Sequence, residues 1–259
     1  MRGGRIPVAR WLALPSVTAS VVAGGAAAAI ACAGSASGGA AGATAARTLP
    51  ADAELLRDPA FGTLRFAKGA DLSRDLEAEA GFWADQRAGR HEAVARAFLE
   101  AYAAVLRLER PGEELALRSV ETDALGMTHV SFAQAWRGLP IPGAELKVHL
   151  DRENHVVLLD GSYVPTPAGL DPTPAIDAAR ARQLAAAELA GARDDCGDCA
   201  CELVVFADRG VAPRLAWRVR SAPERIQGFE ITLDASNGAP LRKLPTAIPG
   251  LATPSREAQ

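Results

Sequence analysis

Between His91 and Leu108 the apolar residues Val94, Ala97, Phe98, Ala101, Tyr102, Val105 and Leu108 recur three or four positions apart. That spacing puts them on one face of an amphipathic helix, and Pro111-Gly112 ends the run. Past this point the apolar period shortens from 3.6 to 2. Leu115 to Val120 reads as a strand and Asp123-Ala124-Leu125-Gly126 as a turn. His129 to Trp136 reads as a second strand, with Val130 and Phe132 on one face and His129, Ser131 and Ala133 on the other. Glu145 to Leu150 and His155 to Leu159 follow as strands joined by the polar turn Asp151-Arg152-Glu153-Asn154. Turns this short imply an antiparallel meander. Ahead of the helix, Leu64 and Phe66 alternate after a turn signal at Asp58-Pro59 and predict a short edge strand; Asp71 to Gly89 follows no clear period.

Pro165, Pro167, Pro172 and Pro174 interrupt the pattern, since neither a ladder nor a helix continues through them. Asp177 is then a good N-cap for an alanine-rich helix from Ala178 to Ala190, whose largest apolar groups are Leu184 and Leu189. Strand-like segments follow at Glu202 to Phe206, Leu215 to Val219, Phe229 to Leu233 and, after an Asn237-Gly238 turn, Pro240 to Leu244. The expected fold class is α+β, with two modules that each pack a helix on an antiparallel sheet. No sequence repeat relates them. The boundaries drawn from this reading are 52–164 for the first module, 165–174 for a Pro-rich linker, 175–244 for the second module and 245–259 for an extended tail.

The N-terminus has a different character. Arg2, Arg5 and Arg10 form a basic start, and Trp11 to Ala31 carries no charge, so residues 1–31 read as an export signal. Cys32 follows Ala29-Ile30-Ala31, which resembles the bacterial lipobox and makes Cys32 a candidate for lipidation and a membrane anchor. Cleavage at an Ala-x-Ala site or retention as an uncleaved anchor are the alternatives. Residues 32–51 are mostly Gly, Ala, Ser and Thr and read as a flexible tether. In every case the rest of the chain is expected outside the cytoplasm.

Composition narrows the function classes. The 259 residues are 49% apolar and 23% charged, a globular composition, and aromatics reach only 5%. The overall charge is −3; setting aside the three arginines of the export signal leaves 25 basic against 31 acidic residues. An acidic chain with no basic stripe has no nucleic-acid footprint.

Candidate chemistry is sparse. His91-Glu92 opens a zinc-protease pattern, but the second imidazole is needed one turn on and position 95 is Ala95. The remaining histidines, His129, His149 and His155, fall on predicted strands with no ligand spacing recognisable in sequence. No G-x-S-x-G elbow and no Gly-rich phosphate loop is present. Catalytic residues, metal ligands and cofactors are therefore expected to be absent. Cys196, Cys199 and Cys201 are the sharpest feature. In an exported chain two of them are candidates for a disulfide, with incidental loop thiols or a metal site as the alternatives, and the pairing is open.

The stretch Thr128-His129-Val130-Ser131-Phe132-Ala133-Gln134-Ala135-Trp136-Arg137-Gly138-Leu139-Pro140-Ile141-Pro142-Gly143 resembles the propeptide of thermolysin-like metalloproteases of the bacillolysin and fungalysin type. The matching positions are His129, Val130, Phe132, Gln134, Trp136, Gly138, Leu139, Pro140, Ile141 and Gly143. The region from Pro174 to Leu244 is similar to the PepSY module that follows in those propeptides, so the likeness covers about residues 58–244. It implies a protein that binds a thermolysin-type protease as inhibitor or folding chaperone and that needs no catalytic group. Taken as residues, His129, Gln134, Trp136, Gly138, Pro140 and Gly143 are expected in mainly scaffold roles, with Gly126, Gly138 and Gly143 serving positive-φ turns and direct partner contact as the alternative. The family continues into a zinc protease and this sequence stops at Gln259. The alternatives are accordingly a truncated protease precursor or a surface lipoprotein that binds another exported protein.

Overall fold

The computed structural model describes residues 47–188, 196, 199–221 and 227–247. The expected export signal, Cys32, Leu189 and most of the tail lie outside them. Two antiparallel sheets with helices packed against them form an α+β fold, the class the residue pattern predicts.

The first sheet is built on the meander β3 (Leu115–Thr122), β4 (Thr128–Trp136), β5 (Leu139–Leu150) and β6 (Val156–Ser162). β2 (Leu64–Lys68) pairs with β6, and β1 (Glu54–Arg57) pairs with β2, giving the order β1-β2-β6-β5-β4-β3. The strand around Leu64 and Phe66 is thus internal, whereas the sequence places it at an edge. The edge is β1, whose four residues are all exposed, so it has no alternation of burial for the pattern to reveal.

The helical region also departs from the single run. α2 (His91–Ala101) ends at Tyr102, and a separate turn, α3 (Ala103–Leu106), closes at Arg107 with φ of 61°. Pro111 opens the short helix α4 (Pro111–Glu114) instead of ending one, because the first helical position needs no N–H. The unpatterned stretch before His91 holds a 3₁₀ turn (Arg74–Leu76) and α1 (Ala80–Arg87).

The core lies between α2 and one face of the meander. Burial alternates strictly along β4, so Val130 and Phe132 meet Leu146 and Val148 of β5 and face Val94, Phe98 and Leu99 of the helix. Each such side chain contributes about 1.5–3 kcal/mol through burial. Phe98 and Tyr102 pack with ring centroids 4.9 Å apart. The β4–β5 hairpin turns on Arg137 and Gly138, with φ of 48° and 80°. Two central residues with positive φ match the right-handed twist of the strands they join.

The second sheet has the order β10-β9-β8-β7, from β7 (Ala200–Asp208), β8 (Val211–Arg220), β9 (Gln227–Asp234) and β10 (Pro240–Ala247). α5 (Ala178–Glu188) starts where the Asp177 Oδ1 accepts the Arg180 N–H at 2.7 Å. Its buried residues are Ala181 and Ala185, small enough to let the helix lie close to Val219, Ile231 and Leu233. Gly238 has φ of 78°, and a Cβ there would run into the Leu184 side chain. Val205 of β7 is buried in the core of the first sheet and Ala207 packs against that core, so the two sheets share apolar surface.

Candidate functional site

The period of β4 that buries Val130 and Phe132 directs His129 and Ser131 to the face away from α2. Strand register then decides what His129 meets. It lies directly across from His149 on β5 and from Glu121 on β3. Cross-strand neighbours on one face of a sheet are close enough for side chains to touch. The two imidazoles do so, with Nδ1 of His129 2.6 Å from Nδ1 of His149 and ring centroids 4.7 Å apart at 75°.

Each outer nitrogen faces a carboxylate. His129 Nε2 lies 3.2 Å from Asp123 Oδ2, and His149 Nε2 lies 2.8 Å from Asp160 Oδ1 on β6. Asp123 is fixed in the β3–β4 turn because its Oδ1 accepts the Leu125 and Met127 N–H groups at 2.8 and 3.0 Å. A row Asp123–His129–His149–Asp160 thus runs across the sheet. The hydrogen bond from the Met127 N–H, helped by His129, holds the Asp123 carboxyl below the usual carboxylate range. Burial lowers the His149 pKa and outweighs the support from Asp160. The His149 side chain is 12% exposed and that of His129 26%, so His129 is the more open side of the pair.

Ionised carboxylates only accept hydrogen bonds, so each Nε2 carries its proton. In the tautomer that places both protons on Nε2, the two Nδ1 lone pairs face each other, and a cation between them removes the repulsion. In the sequence these histidines look unrelated, because they stand 20 residues apart. The alternation that gives both a face is legible there; the register that pairs them is not.

The other motif positions take several roles. Gln134 is buried and bonded at both ends to the Val164 backbone. Trp136 is buried at the end of β4 and borders a cleft of about 380 Å³ together with Arg110, Glu113, Arg137, Gly138 and Thr166. The Arg137 guanidinium lies 4.9 Å from the Trp136 ring centroid. Pro140 pairs with Ala135, and the next paired residue on β5 is Glu145, opposite Ala133. The intervening residues bulge, and Gly143 has φ of 81° there, as Gly126 has 80° in its turn.

Cys196 and Cys199 are joined by a disulfide, and Cys201 on β7 is a half-buried free thiol. Its S–H points to the Ala178 carbonyl at 3.8 Å, and burial pushes its pKa up. His155 stands at a separate place, with Nδ1 3.1 Å from Asp151 Oδ2 and Nε2 3.9 Å from Glu77 Oε1. Among the described residues no helix is long and apolar enough to cross a membrane.

Residues 113–163 match the Fungalysin/Thermolysin Propeptide Motif. That segment runs from α4 to the end of β6 and contains all four members of the row. No curated protein matches the chain. Among solved structures it is similar to the Bacillus megaterium YpeB C-terminal domain, at 13% identity over 61% of this chain and 64% of that one, with a TM-score of 0.34. It is also similar to a candidate lipoprotein from Clostridium difficile 630, at 12% identity over 60% of this chain and 92% of that one, with a TM-score of 0.23. The chain spans less than two thirds of the YpeB domain.

Proposed function

We propose that this chain is a non-catalytic, exported partner of a thermolysin-type zinc metalloprotease, which it inhibits or helps to fold. The observation that carries the reading is the propeptide motif over residues 113–163. A propeptide of this kind acts through a shaped surface, so the reading asks for a rigid scaffold and no reactive centre. The β4–β5 hairpin supplies rigidity through its two-residue turn and the buried Gln134. Beside it the cleft bordered by Trp136 is lined by Arg110, Arg137 and Glu113, groups able to bind an extended peptide segment. In this reading residues 175–244 form a PepSY-like second module, and a lipid on Cys32 holds the protein at the membrane after export.

The test is a titration of the purified chain against several thermolysin-like proteases, following both inhibition and the yield of active protease on refolding. Inhibition with a saturable dose dependence, or a raised refolding yield, is the expected result. No effect in either assay across those enzymes overturns the reading.

A further inference from the structure

We propose that His129 and His149 form a binding site for a divalent transition-metal ion, held through their facing Nδ1 atoms. The inference stands apart from protease binding, because it rests only on the row of four side chains across the first sheet. Three observations carry it.

The first is convergence. Two Nδ1 atoms lie 2.6 Å apart while both Nε2 atoms are engaged outward with Asp123 and Asp160. A histidine that ligates a metal typically gives its other N–H to a carboxylate, which fixes the tautomer and aims the free lone pair. Here both members of the pair have that support.

The second is charge. The charged groups on this face beside the rings are the carboxylates of Asp123 and Asp160, Glu121 across from His129, Lys147 across from Asp160, and Lys68 on β2 in the same row as His149. Three negative groups against two positive leave a net negative surrounding, which favours a cation between the rings.

The third is room. Zinc–nitrogen bonds of about 2.0–2.1 Å at a tetrahedral angle need the two nitrogens about 3.3 Å apart. The rings must therefore part slightly, and the His129 side chain, 26% exposed, is the one with freedom to move outward. Imidazole ligation selects Zn²⁺, Cu²⁺ or Ni²⁺ over Mg²⁺ or Ca²⁺. Two protein nitrogens leave further positions of the ion free for water or a donor from a bound molecule.

The experiment uses the full chain freed of metal by a chelator. Calorimetric titration with Zn²⁺ is expected to give one site per chain, and Mg²⁺ none. H129Q and H149Q each weaken Zn²⁺ binding at least ten-fold, and D160N weakens it about 10–100-fold by freeing the ring it positions. H155Q binds as the wild type does, which separates this site from the cluster of His155 with Asp71, Glu77 and Asp151. Zinc raises the melting temperature of the wild type but not of folded H149Q. X-ray absorption of the zinc-loaded wild type is expected to show two imidazoles and needs no variant to fold. Absent Zn²⁺ binding by the wild type, undiminished binding by the H129Q/H149Q double variant, loss of binding in H155Q, or a zinc shell without two imidazoles overturns the proposal.

Discussion

The Gln134 side chain and the Val164 backbone hold each other reciprocally: Nε2 donates to the Val164 carbonyl at 2.8 Å, and Oε1 accepts the Val164 N–H at 3.0 Å. Gln134 is 1% exposed, so neither bond has water as a ready replacement. Q134L keeps most of the volume but leaves both backbone groups unpaired. We expect it to lower the unfolding free energy by about 2–4 kcal/mol, read as a lower denaturant midpoint at unchanged slope. An unchanged midpoint would show that the bond pair adds nothing to stability.

Asp234 links pH to the second sheet. Burial pushes its carboxyl up, but hydrogen bonds from the Ser236 hydroxyl and N–H and the Arg214 guanidinium together hold it below the usual carboxylate range. A depressed pKa stabilises the fold above the unfolded carboxyl value near pH 4, and that contribution disappears as pH falls through the lower folded value. D234N is expected to be less stable than wild type at pH 6 and to approach it near pH 2. A constant difference across that range contradicts the assignment.

His155 has the opposite sign. Burial lowers its pKa, yet the hydrogen bond to Asp151 and the charges of Asp151, Asp71 and Glu77 outweigh it and raise the pKa above 6.5. The imidazolium contribution is complete below the unfolded value near 6.5 and is lost as pH rises through the higher folded value. Comparing the melting temperature of wild type and H155Q at pH 5.5 and pH 8.5 checks this, with the larger gap expected at pH 5.5.

The thiols give a chemical test. The Cys196–Cys199 disulfide joins residues only three apart, and chain entropy for so short a loop amounts to about 2 kcal/mol. Reduction is expected to lower stability by no more than that. In a C32S chain, mass spectrometry without reductant should find one alkylated thiol, Cys201, reacting slowly at pH 7 because its pKa is raised. Two or more rapidly labelled thiols would contradict this pairing.

Much of the architecture is legible in the residue pattern, and each departure from it has a physical cause. The β4 alternation that buries Val130 and Phe132, the turn at Asp123–Gly126 and the Asp177 cap are local patterns and occur where the sequence puts them. β1 escapes the pattern because Glu54–Arg57 is exposed throughout. The break at Tyr102 is hidden because its side chain, 1% exposed, continues the apolar stripe past the end of α2. Trp136 and Gly138 stand out as motif residues, but the cleft beside them also needs Arg110 and Thr166 from distant segments.

By itself the chain determined most of its element types, the α+β class and the faces on which strand residues stand, because helix and strand periods, caps and turns act over a few residues. Which residues meet was decided only in the folded molecule. His129 and His149 are each one polar position on an alternating strand, and a one-residue slip of register would turn one of them into the core. Their pairing depends on the shift of register between Ala133 and Ala135, because the hairpin turn alone, carried on without it, would set His129 across from Leu146.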